Sequence, residues 1–192
     1  MRGYFGIGID GPSKEGNVGN LVRTAHSFGA SFAFAVNPMK ISHTGELVTA
    51  TFADTSKSHS QIPFYNYETA ADVHVPQGCQ LVGVEITDDA IDLPSFRHPM
   101  QAVYVMGGER TSLSPDMAAR CDYMIKIPTK FSLNVATAGA IVMYDRLRML
   151  GGFAERPVMP GGKPIERAAH VHGGRFSRLE RRAAKTAAEN NE

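Results

Sequence analysis

Short apolar segments separated by helical patterns are the feature that most restricts the fold of this chain of 192 residues. The segments do not alternate polar and apolar residues, and each is followed by glycine, proline or a polar residue; they span residues 4–9, 31–36, 80–86, 101–106 and 123–127. Helical patterns cover residues 17–28, 114–119 and 132–150. Strands that are apolar on both faces and alternate with helices are typical of α/β proteins. We therefore predict an α/β fold with a mainly parallel sheet flanked by helices.

The composition changes after Leu150. Residues 151–162 (GGFAERPVMPGG) resemble a linker, and residues 151–192 carry 8 Lys/Arg against 5 Asp/Glu, whereas residues 1–150 carry 12 against 14. We predict one domain over residues 1–150 and a basic linker and tail over 151–192. The tail either forms a helix over 175–188 or stays mobile until a partner orders it. Its charge is a hint of a polyanionic partner, and the alternative is a solvated tail.

Features of membrane, secreted and metal-binding proteins are missing from the sequence. No apolar run approaches the roughly 18 residues of a membrane span, and no N-terminal signal segment is visible. Cys79 and Cys121 are far apart, which favours buried, reduced thiols in a cytoplasmic protein. The histidines are scattered apart from the pair at 170 and 172, so we expect no metal site.

The stretch GIGIDG, which begins at Gly6, matches the G-x-G-x-x-G pattern of dinucleotide-binding proteins. Its surroundings do not fit, because only five residues precede it and Pro12 with a polar loop follows where a helix is required. The acidic residue expected after the second strand is also missing, since Asn37 and a proline stand there. We predict instead that Gly6 and Gly8 lie within the first strand, where another stretch of backbone passes close over it.

Three polar segments follow predicted strands: NVGNLVRTA (17–25), VMGGERTSLS (105–114) and IPTKFSLNVATAGA (127–140). In parallel sheets, ligands bind at the carboxyl ends of strands, where helix N-termini offer free N–H groups. Each segment alone is explained by a capped helix after a turn, but the three together favour a ligand site. Arg23 falls within the first two turns of its predicted helix and opposes the helix dipole, which indicates an external reason for its position.

In this order, the three segments resemble the motifs of the SpoU (TrmH-type) branch of the SPOUT superfamily of S-adenosylmethionine-dependent RNA 2′-O-ribose methyltransferases. The resemblance covers residues 4–150. Two departures are Ser112, which replaces a glycine before Leu-Ser, and the short loop between Pro128 and Ser132. The resemblance implies a C-terminal trefoil knot in the sheet, S-adenosylmethionine bound by the loops of the knot, and a homodimer with the pocket near its interface.

The resemblance also implies catalytic residues. It assigns Arg23 to catalysis, and because guanidinium stays protonated we expect it to bind phosphate and stabilise the developing alkoxide, not to act as a general base. Asn17 is expected to position the ribose or Arg23, and Glu109 to orient Arg23 or the backbone of the first motif. Ser132 and Asn134 are expected to contact cofactor or substrate, the alternative for Asn134 being a helix cap.

By the same resemblance, the residues expected to bind the cofactor lie at the ends of three predicted strands or in the loops after them: Glu85, Gly107, Gly108, Glu109, Ile127, Ser132, Leu133 and Asn134. Glycines let the backbone approach a ligand closely. A helix that begins at Ser132 would present unpaired N–H groups to ligand oxygens.

RNA is the expected partner, with tRNA favoured and rRNA possible. Many SpoU enzymes carry an additional N-terminal RNA-binding domain, whereas this chain begins at its first predicted strand. We therefore expect RNA contacts near Arg23, within residues 39–62 and in the basic tail. The alternatives are a knotted RNA-binding or assembly factor without catalysis and an oxidoreductase that uses GIGIDG. The presence of Arg23, Glu109, Ser132 and Asn134 favours the enzyme.

Overall fold

The computed structural model describes residues 3–39 and 61–164. The chain divides into two compact units, Met1–Gly152 and Phe153–Glu192. Within its described part, the first unit contains seven strands and three α-helices, in the order β1 (Tyr4–Asp10), α1 (Glu15–Phe28), β2 (Phe32–Val36), β3 (Phe64–Tyr67), β4 (Gln80–Val84), β5 (Ile91–Asp92), β6 (Gln101–Gly107), α2 (Pro115–Arg120), β7 (Tyr123–Lys126) and α3 (Val135–Leu150). Single 3₁₀ turns lie at Ala70–Asp72 and Leu93–Ser95. In the second unit, the described residues 153–164 form neither helix nor strand.

The seven strands form one sheet in the order β3-β2-β1-β6-β4-β7-β5, and every neighbouring pair is parallel. This confirms the predicted α/β fold with a mainly parallel sheet. The carboxyl ends of the central strands lie side by side, since Asp10 pairs with Gly107 and Val84 pairs with both Met106 and Ile125. The trefoil knot stays a prediction from the resemblance.

Both faces of the sheet are covered, which explains why the strands are continuously apolar. In β6, Tyr104 and Met106 pack with α1 and α3, while Val103 and Val105 pack with Met117 of α2. All five side chains are at most 2% exposed. A strand buried on both sides cannot alternate polar and apolar residues.

Gly6 and Gly8 are close-packing positions, as predicted, but the predicted neighbour was wrong. A Cβ atom at Gly6 would lie 2.5 Å from atoms of the Phe32 ring, and one at Gly8 would lie 2.6 Å from the Phe34 ring. The glycines therefore make room for two aromatic side chains of β2, not for a passing stretch of backbone.

Two strands were not predicted. The edge strand β3 has only four residues, with Tyr65 and Asn66 exposed, and β5 has only two, both exposed. Short, exposed strands give no apolar run. The predicted helix over 114–119 is present as α2, and Ser114 caps it, because the Ser114 hydroxyl accepts a hydrogen bond from the Met117 N–H at 3.3 Å.

Other sequence-based expectations have mixed outcomes. Residues 40–60, within the segment where RNA contacts are expected, and the predicted helix over 175–188 lie outside the described residues. Cys79 and Cys121 are free thiols, but both are only partly buried. No helix in the described ranges combines the length and the hydropathy that crossing a bilayer requires.

A buried polar cluster lies at the amino-terminal edge of the sheet. The Arg146 guanidinium, 2% exposed, donates hydrogen bonds to the carbonyl of Met100 at 2.8 Å and to the Tyr104 hydroxyl at 3.2 Å. The Tyr104 hydroxyl also lies 2.7 Å from Nδ1 of His98, whose Nε2 lies 3.2 Å from a carboxylate oxygen of Asp145. With a further hydrogen bond from Arg146 to the carbonyl of Tyr4 at 3.4 Å, these contacts attach the last turns of α3 to β6 and to the start of β1.

Candidate active site at the carboxyl edge of the sheet

A cavity of about 530 Å³ opens where β4, β6 and β7 end. Its volume is within the range of small-ligand sites. The lining includes every residue that the sequence predicts for cofactor binding: Glu85, Gly107, Gly108, Glu109, Ile127, Ser132, Leu133 and Asn134. Asn17 also lines it, so four of the five predicted catalytic residues belong to the same cavity. Their chemical roles stay predictions.

Glu109 joins the loop after β6 to the loop after β1. One carboxylate oxygen accepts hydrogen bonds from the N–H and the hydroxyl of Ser13 at 2.8 and 2.7 Å, and the other accepts from Nδ2 of Asn17 at 2.5 Å. Partial burial raises the pKa of Glu109, but these hydrogen bonds together outweigh it, so its pKa lies below the ordinary value. Glu109 is therefore ionised at neutral pH and holds the backbone at Ser13 and the side chain of Asn17, the first residue of the first motif.

Asn17 and Asn134 extend this link to the third motif. Nδ2 of Asn134 donates to Oδ1 of Asn17 at 2.9 Å. Oδ1 of Asn134 accepts from the N–H groups of Ala136 and Thr137 at 3.0 and 3.3 Å, so this side chain caps α3. The predicted helix start at Ser132 is wrong, because α3 begins after the cap, at Val135, and Ser132 lies in the preceding loop. Two N–H groups at the start of this helix are therefore not unpaired as predicted, because they donate to the Asn134 side chain.

The glycines of the second motif are packed against the protein's own backbone. A Cβ atom at Gly108 would collide with the carbonyl oxygen of Gly11 and lie 2.8 Å from its carbonyl carbon. A Cβ atom at Gly107 would lie 2.8 Å from the Leu113 nitrogen and 2.9 Å from Oε2 of Glu85. Glu85 holds the same loop, since its Oε2 accepts from the Leu113 N–H at 3.0 Å. These small residues therefore shape the cavity wall through contacts within the protein itself.

Arg23 does not line this cavity. It lies on α1 with an exposed side chain. Since α1 begins at Glu15, Arg23 is in the third turn, not in the first two, and the predicted opposition to the helix dipole was wrong. Its catalytic role stays a prediction from the resemblance.

Two residues that build the site were not predicted from the sequence. Ser13 carries two of the hydrogen bonds to Glu109, and no motif marked it. Asp10, 4% exposed, accepts a hydrogen bond from the Ser114 N–H at 2.8 Å and so fixes the start of α2. Asp10 directly follows the predicted strand over residues 4–9, and an acidic residue at that place was the available signal for it. Among the described residues, no group of three or more His, Cys, Asp or Glu side chains is arranged to hold a metal ion.

The chain matches a known protein family along most of its length. The model of the SpoU rRNA Methylase family matches residues 5–144. The chain belongs to the SpoU rRNA methylase family. The match contains all three polar motifs and the whole lining of the cavity.

Relatives of this SpoU-family chain include methyltransferases that act on different RNAs. It is 30% identical to the tRNA (guanosine(18)-2′-O)-methyltransferase of Escherichia coli K12 over 70% of this chain and 59% of that protein. It is 26% identical to the 23S rRNA (uridine(2479)-2′-O)-methyltransferase of Streptomyces viridochromogenes over 76% of this chain and 53% of that one. The chain therefore spans three fifths or less of the length of these two relatives.

The fold has solved counterparts. An AdoMet-bound rRNA methyltransferase from Sinorhizobium meliloti superimposes with a TM-score of 0.64 at 26% identity, covering 78% of this SpoU-family chain and 58% of that one. The superposition covers about as much of the chain as the family match does.

Proposed function

We propose that this SpoU-family chain transfers the methyl group of S-adenosylmethionine to a ribose 2′-OH of RNA, with tRNA favoured and rRNA possible. The observation that carries the proposal is the cavity at the carboxyl edge of the sheet, whose walls come from the three motifs and are joined through Glu109, Asn17 and Asn134. The E. coli relative is named for tRNA and the Streptomyces relative for 23S rRNA. Both names specify ribose 2′-O-methylation.

The cavity suits S-adenosylmethionine in size and charge. Its lining includes the carboxylates of Glu85 and Glu109, and the low pKa of Glu109 keeps that group ionised. Two carboxylates favour a ligand that carries a sulfonium and an ammonium group. The bound cofactor supplies a methyl group on a sulfonium, which is a reactive electrophile.

The chain's own residues contribute position and charge. Hydrogen bonds from Ser13 and Asn17 to Glu109 fix the two loops between which the substrate ribose would lie. Arg23 stays protonated at any ordinary pH, so it serves as a phosphate ligand and a stabiliser of the developing alkoxide, not as the base. A homodimer, tested by sedimentation velocity, is part of the proposal.

Transfer of a labelled methyl group tests the function. Wild type and Arg23→Ala are incubated with labelled S-adenosylmethionine and bulk tRNA or rRNA, with Arg97→Ala as a control for an exposed arginine that does not line the cavity. We expect wild type and Arg97→Ala to label one RNA class. Arg23→Ala should be slower by about 100-fold or more, the usual cost of losing a charge-stabilising donor. The label should survive alkaline hydrolysis within a dinucleotide, because a 2′-O-methyl group blocks strand cleavage.

Other outcomes would contradict parts of the proposal. Equal incorporation by wild type and Arg23→Ala would remove Arg23 from the mechanism. Binding of RNA by wild type without incorporation would favour a non-catalytic RNA-binding or assembly factor. A melting temperature raised by NAD and not by S-adenosylmethionine would favour an oxidoreductase, since a ligand that binds only the folded state stabilises it.

A further inference from the structure

Two cationic side chains, Lys14 and Arg110, line the cavity. Both are exposed, and we call the solvent-facing part of the lining that they form the rim of the cavity. Within the part of the chain that the structure describes, neither side chain takes part in a hydrogen bond or an ion pair. Their charged groups are therefore available to a ligand.

The backbone under these two side chains is held by a joint between two loops. Lys14 follows Ser13 and Arg110 follows Glu109, and the Ser13 hydroxyl donates to the Glu109 carboxylate at 2.7 Å. The loops leave the sheet side by side, because β1 and β6 pair in parallel up to Asp10 and Gly107. The two cations thus start from neighbouring, fixed points at the rim of the cavity.

Charge is divided between the wall of the cavity and its rim. The carboxylates of Glu85 and Glu109 belong to the wall and are held there by hydrogen bonds from the backbone and from Ser13 and Asn17. A third cation, Lys126, also lines the cavity, but its ammonium group donates to the carbonyl of Thr87 at 2.9 Å. The wall therefore suits a cationic ligand, and the rim suits an anionic one.

We propose that Lys14 and Arg110 together bind a backbone phosphate of the RNA beside the nucleotide whose ribose enters the cavity. The inference rests on the proposed function and names how the substrate is held at the same site. Guanidinium can bind phosphate through two parallel N–H donors, and ammonium adds a point charge from the other loop. The carboxylate of S-adenosylmethionine is another anion that could reach this rim, so the experiment must separate the two sources.

The salt dependence of RNA binding tests the inference. Lys14→Gln, Arg110→Gln and the double variant of the full chain are titrated with bulk tRNA between 50 and 200 mM KCl. Arg97→Gln is the control, because Arg97 is exposed and does not line the cavity. Removing one cation from the phosphate should reduce the slope of log K against log[salt] by about 0.7–0.9. Between 50 and 200 mM KCl, the ratio of wild-type affinity to variant affinity for tRNA should therefore fall about threefold for each cation removed.

Companion measurements keep the inference falsifiable. The affinity for S-adenosylmethionine, measured by calorimetry without RNA, should match wild type in all variants. Melting temperatures should also match, because both side chains are exposed and form no hydrogen bond or ion pair within residues 3–39 and 61–164. Unchanged slopes in both single variants would overturn the inference, and so would weaker S-adenosylmethionine binding with an unchanged slope. If wild type binds tRNA but transfers no methyl group, the proposed function fails while the slopes still decide the role of the two cations.

Discussion

Asn17 and Asn134, 117 residues apart in sequence, are joined by a hydrogen bond of 2.9 Å at the N-terminus of α3. The orientation of the Asn17 amide follows from its other neighbour. Its Nδ2 must face the Glu109 carboxylate, which only accepts, so its Oδ1 faces Nδ2 of Asn134. The three motifs are thereby linked by one chain of side-chain hydrogen bonds, in which each polar group has a single suitable direction.

Two substitutions of Asn134 should separate its role as the cap of α3 from its hydrogen bond to Asn17. Asn134→Ala loses the cap of α3, which costs about 1 kcal/mol, and leaves the 8%-exposed Asn17 without its donor, which costs about 1 kcal/mol more. Asn134→Asp keeps a capping oxygen but presents an acceptor to Oδ1 of Asn17. Flipping the Asn17 amide does not help, because its oxygen would then face Glu109. Urea unfolding measures the change in stability of each variant. Calorimetry measures how strongly each variant binds S-adenosylmethionine.

Ser114→Ala is the matched control for the cap. It removes the cap of α2 but no bond into the cavity, so we expect about 1 kcal/mol of lost stability and unchanged cofactor binding. Asn134→Asp should retain most of the stability and bind the cofactor more weakly than Ser114→Ala does. Cofactor binding by Asn134→Asp that equals wild type would show that the bond to Asn17 does not shape the cavity.

Glu109→Gln should destabilise the protein in a pH-dependent way. The folded-state pKa of Glu109 is lowered, so its stabilising contribution is fully present above the ordinary glutamate pKa of about 4.3 and is lost as the pH falls through the folded-state value. The NH2 group of the Gln amide would also face a donor of Ser13 or Asn17, so one of the present hydrogen bonds would be lost. We expect a loss of about 1–2 kcal/mol at pH 7 that shrinks below about pH 4, measured by urea unfolding.

An exposed acid provides the comparison for this pH profile. Glu68 is exposed, and Glu68→Gln should stay within about 0.5 kcal/mol of wild type across the same range. A deficit of Glu109→Gln that is constant from pH 3 to pH 7 would mean that ionisation of Glu109 does not contribute to stability.

Gly108→Ala should be strongly destabilising, whereas Gly16→Ala should not. The new methyl group at residue 108 would collide with the carbonyl group of Gly11, and backbone cannot move aside as a flexible side chain can. Overpacking of this kind costs about 1–3 kcal/mol. At Gly16 nothing lies within 4 Å of an added Cβ atom, and alanine is the better helix former by about 1 kcal/mol. Equal melting temperatures of the two variants would contradict this view of the loop contact.

Much of the fold follows from local patterns, because strands buried on both faces must be apolar throughout. The central strands and α1 lie within two residues of their predicted ends. Strands β3 and β5 could not be predicted from apolar runs, since both are short and exposed. The start of α3 was misplaced because Ser132 and Asn134 are both good caps, and only the hydrogen bonds of Asn134 distinguish them.

The site is less accessible to sequence reasoning than the sheet. Motif residues at the ends of strands were predicted to meet, because parallel strands share a carboxyl edge. Their pairing was not, since Ser13 and Glu109 are 96 residues apart and no periodicity connects them. The position of Arg23 depends on the helical turn it occupies, and an error of two residues in the helix start was enough to misjudge it.

His98 should make stability fall as the solution becomes mildly acidic. Burial lowers the pKa of His98, and the hydrogen bond and charge of Asp145, which raise it, do not compensate. Arg146 adds a like charge, while the pKa of Tyr104 is raised to about 12, so that group stays neutral. Because the unfolded state takes up a proton near pH 6.5 and the folded state resists it, stability decreases below that pH by at most about 1.4 kcal/mol per unit.

Urea unfolding of His98→Gln and His74→Gln at pH 7.5, 6.5 and 5.5 checks this effect. His98→Gln should be less stable at pH 7.5, because it disturbs the contacts with Tyr104 and Asp145, but its stability should fall less than that of wild type between pH 6.5 and 5.5. His74 is exposed, so His74→Gln should follow the wild-type profile. A wild-type slope in His98→Gln would assign the acid sensitivity to groups other than this buried imidazole.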